Sequence, residues 1–281
     1  MLACLTLQPD YVKIREKQLE GKINMKTFCF TIDDNIRCLK EIMEKNLDHI
    51  FQQPYLALLR RLHERFDLKI QLNLFYKMEG FDLSQMSDRY ASQWAEVSDW
   101  LKLSFHSEWE NVCPYENSGY DEVFEDCRAV NREILRFAGP DSLAQTTTVH
   151  YCRTTDEGLR AMADNGVKGL LGLFGTEDNP RTSYGLGEEL AGTIRKGNMV
   201  KHGGITFAGI DMVINTVLLQ DLLPSMERFI CHDSLWVMIH EQYFYEDYAW
   251  HQPDFEQKLV TVFSALRDSG HKSCLFEELL R

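Results

Sequence analysis

The sequence predicts an α/β protein built as a single barrel of parallel strands, and three observations predict it. From Lys26 onward, short runs rich in β-branched and aromatic residues alternate with amphipathic helical segments, and composition does not shift along the way. No glycine-rich phosphate-binding turn follows the first strand, which removes the usual reason to draw an open dinucleotide-binding sheet. Polar residues recur at the C-terminal ends of the strands, where barrels carry their chemistry.

The elements follow in order. "KTFCFTI" (26–32) is the first strand, and "DDNIRCLKEIMEKN" (33–46) is a helix with Ile36, Leu39, Ile42 and Met43 on one face. "PYLALLRRLHERF" (54–66) is a helix opened by a proline, whose missing N–H is harmless in a first turn. "LKIQLNLFY" (68–76) is the next strand. "LSQMSDRYASQWAEVSDW" (83–100) reads as one Ser-capped helix leading into the strand "LKLSFHS" (101–107). The helix "YDEVFEDCRAVNREILRFAG" (120–139) and the strand "AQTTTVHY" (144–151) come next, then the short Gly-capped helix "TDEGLRAMADNG" (155–166) and "VKGLLGLFG" (167–175). Residues 176–204 are Gly-rich, break the rhythm, and are read as a hairpin or a flap over the site. "GITFAGIDMVI" (204–214), the helix "LLQDLLPSMERFI" (218–230), the strand "SLWVMIH" (234–240), the helix "DFEQKLVTVFSALRDSG" (254–270) and a last strand near "KSCLFEEL" (272–279) complete the series.

Bulk properties narrow the function. The 281 residues carry a formal net charge of −13, and no basic stretch is interleaved with aromatics, so a nucleic-acid backbone is excluded as the main partner. No apolar run approaches the roughly 20 residues of a membrane span. "MLACLTLQPDY" lacks the basic start and long apolar run of a signal peptide, and the eight cysteines show no CxxC spacing. A cytoplasmic protein with reduced thiols is expected, with residues 1–25 as a polar N-terminal arm or extension and 26–281 as the barrel.

The strand ends collect Asp33 and Asp34, Tyr76, His106, His150, Asp211, and His240 with Glu241. A packing surface has no need of three histidines at three separate strand ends, whereas a metal and proton-transfer site does. His106 and Glu110 in "FHSEWE" are four residues apart and would share one face if the chain turned helically after the strand. Imidazole and carboxylate together suit Zn²⁺, and equally Mn²⁺ or Fe²⁺. Asp211 interrupts an apolar run and needs a partner, either His240 or a structural amide. Glu241 stands next to His240 and is placed to orient it.

In the order "TIDD", "FHSEWE" and "VMIH", the chain from Lys26 onward resembles the polysaccharide deacetylases of NodB homology, carbohydrate esterase family 4. The resemblance implies a distorted (β/α)7 barrel. It implies a hydrolase that removes an acyl group, N-acetyl above all, from a carbohydrate-like substrate. Asp33 would be the general base, Asp34 and His106 metal ligands, and His240 the general acid. Where that family has a second metal histidine this chain has Glu110, so either Glu110 or His150 completes the shell. The family's arginine motif survives as Arg153 alone, in "HYCRTT", placed to steady Asp33. Zn²⁺ is the expected ion, with Mn²⁺, Fe²⁺ or Co²⁺ also suited. Tyr76, Trp109 and Tyr243, with Glu241 and Asp211, are the expected substrate contacts. The partner is a small molecule or an oligosaccharide. Two other readings follow from the departures: a barrel hydrolase for another amide or C–N bond, and a non-catalytic sugar- or partner-binding module.

Overall fold

The computed structural model describes residues 26–110 and 115–280; the expected N-terminal arm, residues 1–25, lies outside them. In chain order the strands are β1 (Thr27–Asn35), β2 (Ile70–Met78), β3 (Phe81–Asp82), β4 (Leu101–Trp109), β5 (Thr146–Thr147), β6 (Gly169–Gly172), β7 (Val200–His202), β8 (Ile205–Gly209), β9 (Met212–Val213), β10 (Ser234–His240) and β11 (Lys272–Ser273). The helices are α1 (Arg37–Glu44), α2 (Pro54–Phe66), α3 (Ala91–Ala95), α4 (Tyr120–Phe137), α5 (Asp156–Asp164), α6 (Glu188–Arg195), α7 (Leu222–Met226) and α8 (Phe255–Asp268). Among the described residues, no helix is long and apolar enough to cross a membrane.

Parallel pairing links β4, β2, β1 and β10 in one set and β5, β6 and β8 in another. Two seams join the sets. At the first, Leu103 of β4 bridges in parallel to Leu143 just ahead of β5, and the Ala144 N–H donates to the Leu103 carbonyl at 2.8 Å. At the second, the chain leaves β8 and runs into β9, which pairs in parallel with β10. The circle β1, β2, β4, β5, β6, β8–β9, β10 is the expected distorted (β/α)7 barrel.

Alternation along β1 explains its sequence. Phe28 and Phe30 face outward onto Phe263 of α8, with ring centroids 5.9 and 4.8 Å away. Burying each such ring contributes about 2 kcal/mol. Cys29 points the other way and joins Leu171, Ala208, Trp236, Cys274 and Phe276 in a small separate apolar cluster. A buried polar layer links β2, β4 and β5: Gln71 Nε2 donates to Asn73 Oδ1 at 2.7 Å and to the Thr146 carbonyl at 3.0 Å, and Ser104 donates to Asn73 Oδ1 at 2.5 Å.

Several segments depart from the expected elements, among them 218–230, which form a 3-10 turn and the short α7 in place of one helix. Residues 83–100 form two 3-10 turns and the short α3 in place of one helix. Asp82 and Ser87 accept from the Ser84 and Arg89 N–H groups, which restarts the chain twice and competes with a continuous helix. Of 144–151 only Thr146–Thr147 is strand, and a tight turn carries His150–Cys152. Residues 176–204 contain α6, with Glu188 and Glu189 in its first turn, and then β7, which makes an antiparallel hairpin with β8.

Candidate active site

Two bulges aim the chemistry. In strict alternation Asp33 and Asp34 would point to opposite faces of β1. The ladder to β2 shifts between Ile32 and Asn35, and Asp34 adopts φ +62°, a left-handed conformation that Asp tolerates better than most residues. The extra residue lets both carboxylates serve one site. On β4 the register to β2 slips between Phe105 and Ser107, so His106 is the extra residue there. Both bulges lie beside β2, which is what brings Asp34 and His106 together across it.

The carboxylate and two imidazoles converge. One donor atom from each of Asp34, His106 and His150 lies within 4.8 Å of the others. His106 Nε2 is 3.0 Å from Asp34 Oδ1, and His150 Nδ1 is 3.2 Å from His106 Nε2 and 3.4 Å from Asp34 Oδ1. The outward ring nitrogens settle the tautomers. His106 Nδ1 meets the Thr148 carbonyl at 2.5 Å and His150 Nε2 meets the Glu110 carbonyl at 3.3 Å. A carbonyl only accepts, so each outer nitrogen carries the hydrogen, and in a neutral ring the inner nitrogen presents its lone pair. Three electron-pair donors then face one point, an arrangement that repels itself until a cation enters. The donor set therefore fits a divalent ion.

Neutral amides hold the remaining groups. Asn73 Nδ2 donates to Asp33 Oδ1 at 2.6 Å, and Gln242 Nε2 donates to Asp34 Oδ2 at 2.6 Å. His240 Nδ1 donates to Asn215 Oδ1 at 2.9 Å. Burial pushes the Asp33 carboxyl up, and the charges of His106 and His240 with the Asn73 bond only partly reverse it. Burial works the same way on Asp34, but His106 and His150, when each carries a second proton and donates from its inner nitrogen, outweigh it and hold that carboxyl well below its ordinary range. Burial pulls His106 down, yet Asp33 and Asp34 together raise it. Two adjacent acids are thus driven apart, one toward holding a proton and one toward permanent charge.

No protein-family model matches the chain, and no curated protein does. Solved structures do. A family 4 acetyl xylan esterase from Clostridium thermocellum, in complex with a cobalt ion, aligns with 12% identity over 90% of each chain at a TM-score of 0.50. The fold is that of the family 4 carbohydrate esterases. A CE4 family pseudoenzyme from Bacillus anthracis shares this esterase-type barrel at 14% identity, over 93% of this chain and 67% of that one, with a TM-score of 0.50. So does a 4-alpha-glucanotransferase from Thermococcus litoralis, at 12% identity and a TM-score of 0.58; this chain spans 40% of it. An esterase, a pseudoenzyme and a transferase share the barrel, so the fold alone does not name a reaction.

Several expected residues stand elsewhere in the esterase-type barrel. Glu110 is not one of the three converging donors. The helical turn after "FHS" does not form, β4 runs on to Trp109, and Glu110 offers His150 its backbone carbonyl. Arg153 does not reach Asp33: its guanidinium pairs with Glu116 in solvent, and Asn73 takes the place beside the acid. Glu241 does not orient His240. Its carboxylate accepts from the Ile36, Arg37 and Cys38 N–H groups at 2.8, 3.1 and 2.7 Å, capping α1 from the end of the neighbouring strand β10, and Tyr245 donates to it at 2.7 Å. Asp211 does not pair with His240; it accepts from the Trp236 N–H at 2.9 Å. Tyr76 packs against the main core, Lys77 lies over the Trp109 ring at 5.6 Å, and the Tyr243 ring is 6.1 Å from His240. Sequence reasoning passed over Asn73, Asn215 and Gln242. Asn73 carried a signal, a polar residue inside the apolar run "IQLNLFY"; the other two lie in segments with no periodicity.

Proposed function

We propose that this chain is a metal-dependent hydrolase that removes an acyl group, N-acetyl above all, from a carbohydrate-like substrate. One observation carries the reading: the convergence of Asp34 Oδ1, His106 Nε2 and His150 Nδ1, with both outer ring nitrogens turned onto carbonyls. A divalent ion held there supplies Lewis acidity toward an acyl carbonyl and acidifies water. With His150 rather than Glu110 as third donor, one carboxylate charge offsets a dication and leaves it at +1, which favours that chemistry. Zn²⁺ is the proposed ion, with Co²⁺, Mn²⁺ and Fe²⁺ as alternatives suited to the same donors.

The chain's own residues do the rest. Asp33 is buried, its Oδ1 is fixed by Asn73, and its other oxygen accepts the proton of the attacking water. His240 gives its Nδ1–H to Asn215 and keeps Nε2 for the leaving atom, to which it delivers a proton. It is the register partner of Asp33 on the neighbouring strand, so base and acid flank one site. A module that only binds would need neither group, which favours catalysis over the binding reading.

The experiment is elemental analysis of protein purified without chelator, for wild type beside Asp34→Ala and His106→Ala, followed by acetate-release assays. N-acetylglucosamine oligomers and acetylated xylose oligomers serve as substrates, with Zn²⁺ or Co²⁺ supplied. One equivalent of metal in wild type, lost in both variants, with acetate released by wild type and not by Asp33→Asn, is expected. Absence of metal after incubation with these ions would overturn the reading.

A further inference from the structure

We propose that Cys29 and Cys274 are a thiol pair oxidised by peroxide, and that the disulfide they close fastens the C-terminal segment across the foot of the barrel. The pair lies toward the start of β1, away from the end that carries Asp33 and Asp34, and is independent of the reaction proposed above.

β11 pairs in parallel with β1 through Thr27–Lys272 and Phe28–Ser273. The Cys274 N–H continues the ladder by donating to the Phe28 carbonyl at 2.9 Å, which brings Cys274 level with Cys29. Paired strands run about 4.8 Å apart, inside the roughly 4.4–6.8 Å between Cα atoms that a disulfide spans. The two sulfurs are in contact at 3.6 Å, and both side chains share the small apolar cluster with Trp236 and Phe276. Closing the bond therefore asks for a turn of side chains and leaves the backbone where it is.

The two thiols are not equivalent. Cys29 is 2% exposed and Cys274 is 7% exposed. Burial pushes the Cys29 thiol well up, so it keeps its proton. The bond that Cys29 gives to Cys274 draws the Cys274 thiol down, against burial and Glu278 and with help from Thr27 and Lys69. The thiolate is the nucleophile, so Cys274 reacts first. Its sulfur attacks hydrogen peroxide: an S–O bond forms, the O–O bond breaks, and the displaced hydroxide leaves as water with the proton that Cys274 gave up. Cys29 then attacks the sulfenic sulfur: the S–S bond forms, the S–O bond breaks, and the second hydroxide leaves as water with the Cys29 proton. The two thiols give up two electrons, and one peroxide becomes two waters.

What the bond would hold is a strap. Lys69, just ahead of β2, gives its N–H to Ser273 Oγ at 2.8 Å and its ammonium to Glu278 at 2.5 Å. Gln145, just ahead of β5, gives its N–H to Glu277 at 2.8 Å, and Lys102 of β4 faces the same carboxylate at 3.8 Å. Phe276 stands edge-on to Trp236 of β10, with centroids 6.0 Å apart, and so close to Gly169 of β6 that a Cβ there would lie 2.8 Å from the ring. The segment thus spans the strand starts, yet its own ladder with β1 is two residues long. A segment held by so little backbone pairing opens readily. A covalent tie to β1 closes a loop between positions 245 residues apart, the case in which a disulfide restricts the unfolded chain most.

The test reduces the full chain with dithiothreitol, removes the reductant, and adds a small excess of hydrogen peroxide. Free thiols are then blocked and a non-reducing peptide map is read by mass spectrometry. A Cys29–Cys274 cross-link is expected, and the melting temperature of the intact protein should rise by about 5 °C or more and return when dithiothreitol is restored. Cys274→Ser should show no rise with peroxide. The wild-type map and its reversal by dithiothreitol decide the matter even if that variant fails to fold. Cys274 recovered as a thiol or a sulfinic acid with no bond to Cys29 would overturn the proposal. So would a cross-link that leaves the melting temperature unchanged, or an equal rise in Cys274→Ser.

Discussion

Asp33 and His240 are register partners on adjacent parallel strands, each held by the side chain of an asparagine: Asn73 donates to Asp33, and Asn215 accepts from His240. Neither support carries charge. Each support orients the side chain it holds, and the Asp33 carboxyl is set by burial against the histidines and the Asn73 bond.

Replacing Asn73 tests that support. Its N–H favours the ionised form of Asp33, so Asn73→Leu removes a force that holds the carboxyl down and leaves burial opposed only by the histidines. The acid limb of kcat/KM against pH should move upward, and kcat should fall about tenfold or more. A pH–rate profile that superimposes on wild type would show that Asn73 only packs.

Metal retention separates His150 from Glu110. His150→Ala should weaken divalent-ion affinity by about 100-fold or more, while Glu110→Gln should leave stoichiometry at wild-type level. Competition with a chromophoric chelator reads both. The opposite ranking would return Glu110 to the shell.

Asp211 gives the fold a pH dependence of its own. Burial pushes its carboxyl up to about 7, against the Trp236 N–H that it accepts. The folded chain keeps this proton where the unfolded chain has lost it, so stability falls as pH rises from about 4 through about 7. Asp211→Asn keeps an oxygen for Trp236 and removes the ionisation. It should gain about 2 kcal/mol at pH 8 and little at pH 4, measured by urea unfolding at both. An equal effect at the two pH values would rule this out.

Glu241 is expected to matter for stability before it matters for catalysis. Glu241→Ala leaves three N–H groups at the start of α1 and the Tyr245 hydroxyl without their acceptor, a loss of about 3 kcal/mol. Glu241→Gln retains part of the cap and should lose less. Thermal unfolding of the two variants checks the order.

Elements with strong periodicity were legible to the residue: the helix Pro54–Phe66 and the strand Ser234–His240 coincide with their sequence patterns. Segments governed by side chains bonding their own backbone were not, as the broken stretch after Asp82 demonstrates. The site was legible as a set of residue types at strand ends, since Asp33, Asp34, His106, His150 and His240 do gather there. Their partners were less so. Spacing favoured Glu110 with His106 on the premise of a helical turn, and a strand that runs two residues longer cancels it. The acceptor for α1 lies 205 residues from Ile36, a distance no local pattern can carry.

The seam between β4 and β5 gives the site a second office. Ladder pairing there amounts to little more than the Leu103–Leu143 bridge, and side chains finish the closure: Thr147 donates to the Phe105 carbonyl, and His106 donates to that of Thr148. His106 is therefore a rivet as well as a proposed ligand, fastening the stave that carries Asp34's neighbour to the turn that carries His150. Loading the proposed site would brace a joint that the His106 bond to Thr148 already makes. Backbone amides flanking this joint should trade hydrogen with solvent quickly in the metal-free protein and slow together once an ion is supplied, a coupling through which cation supply would set the protein's lifetime against proteases.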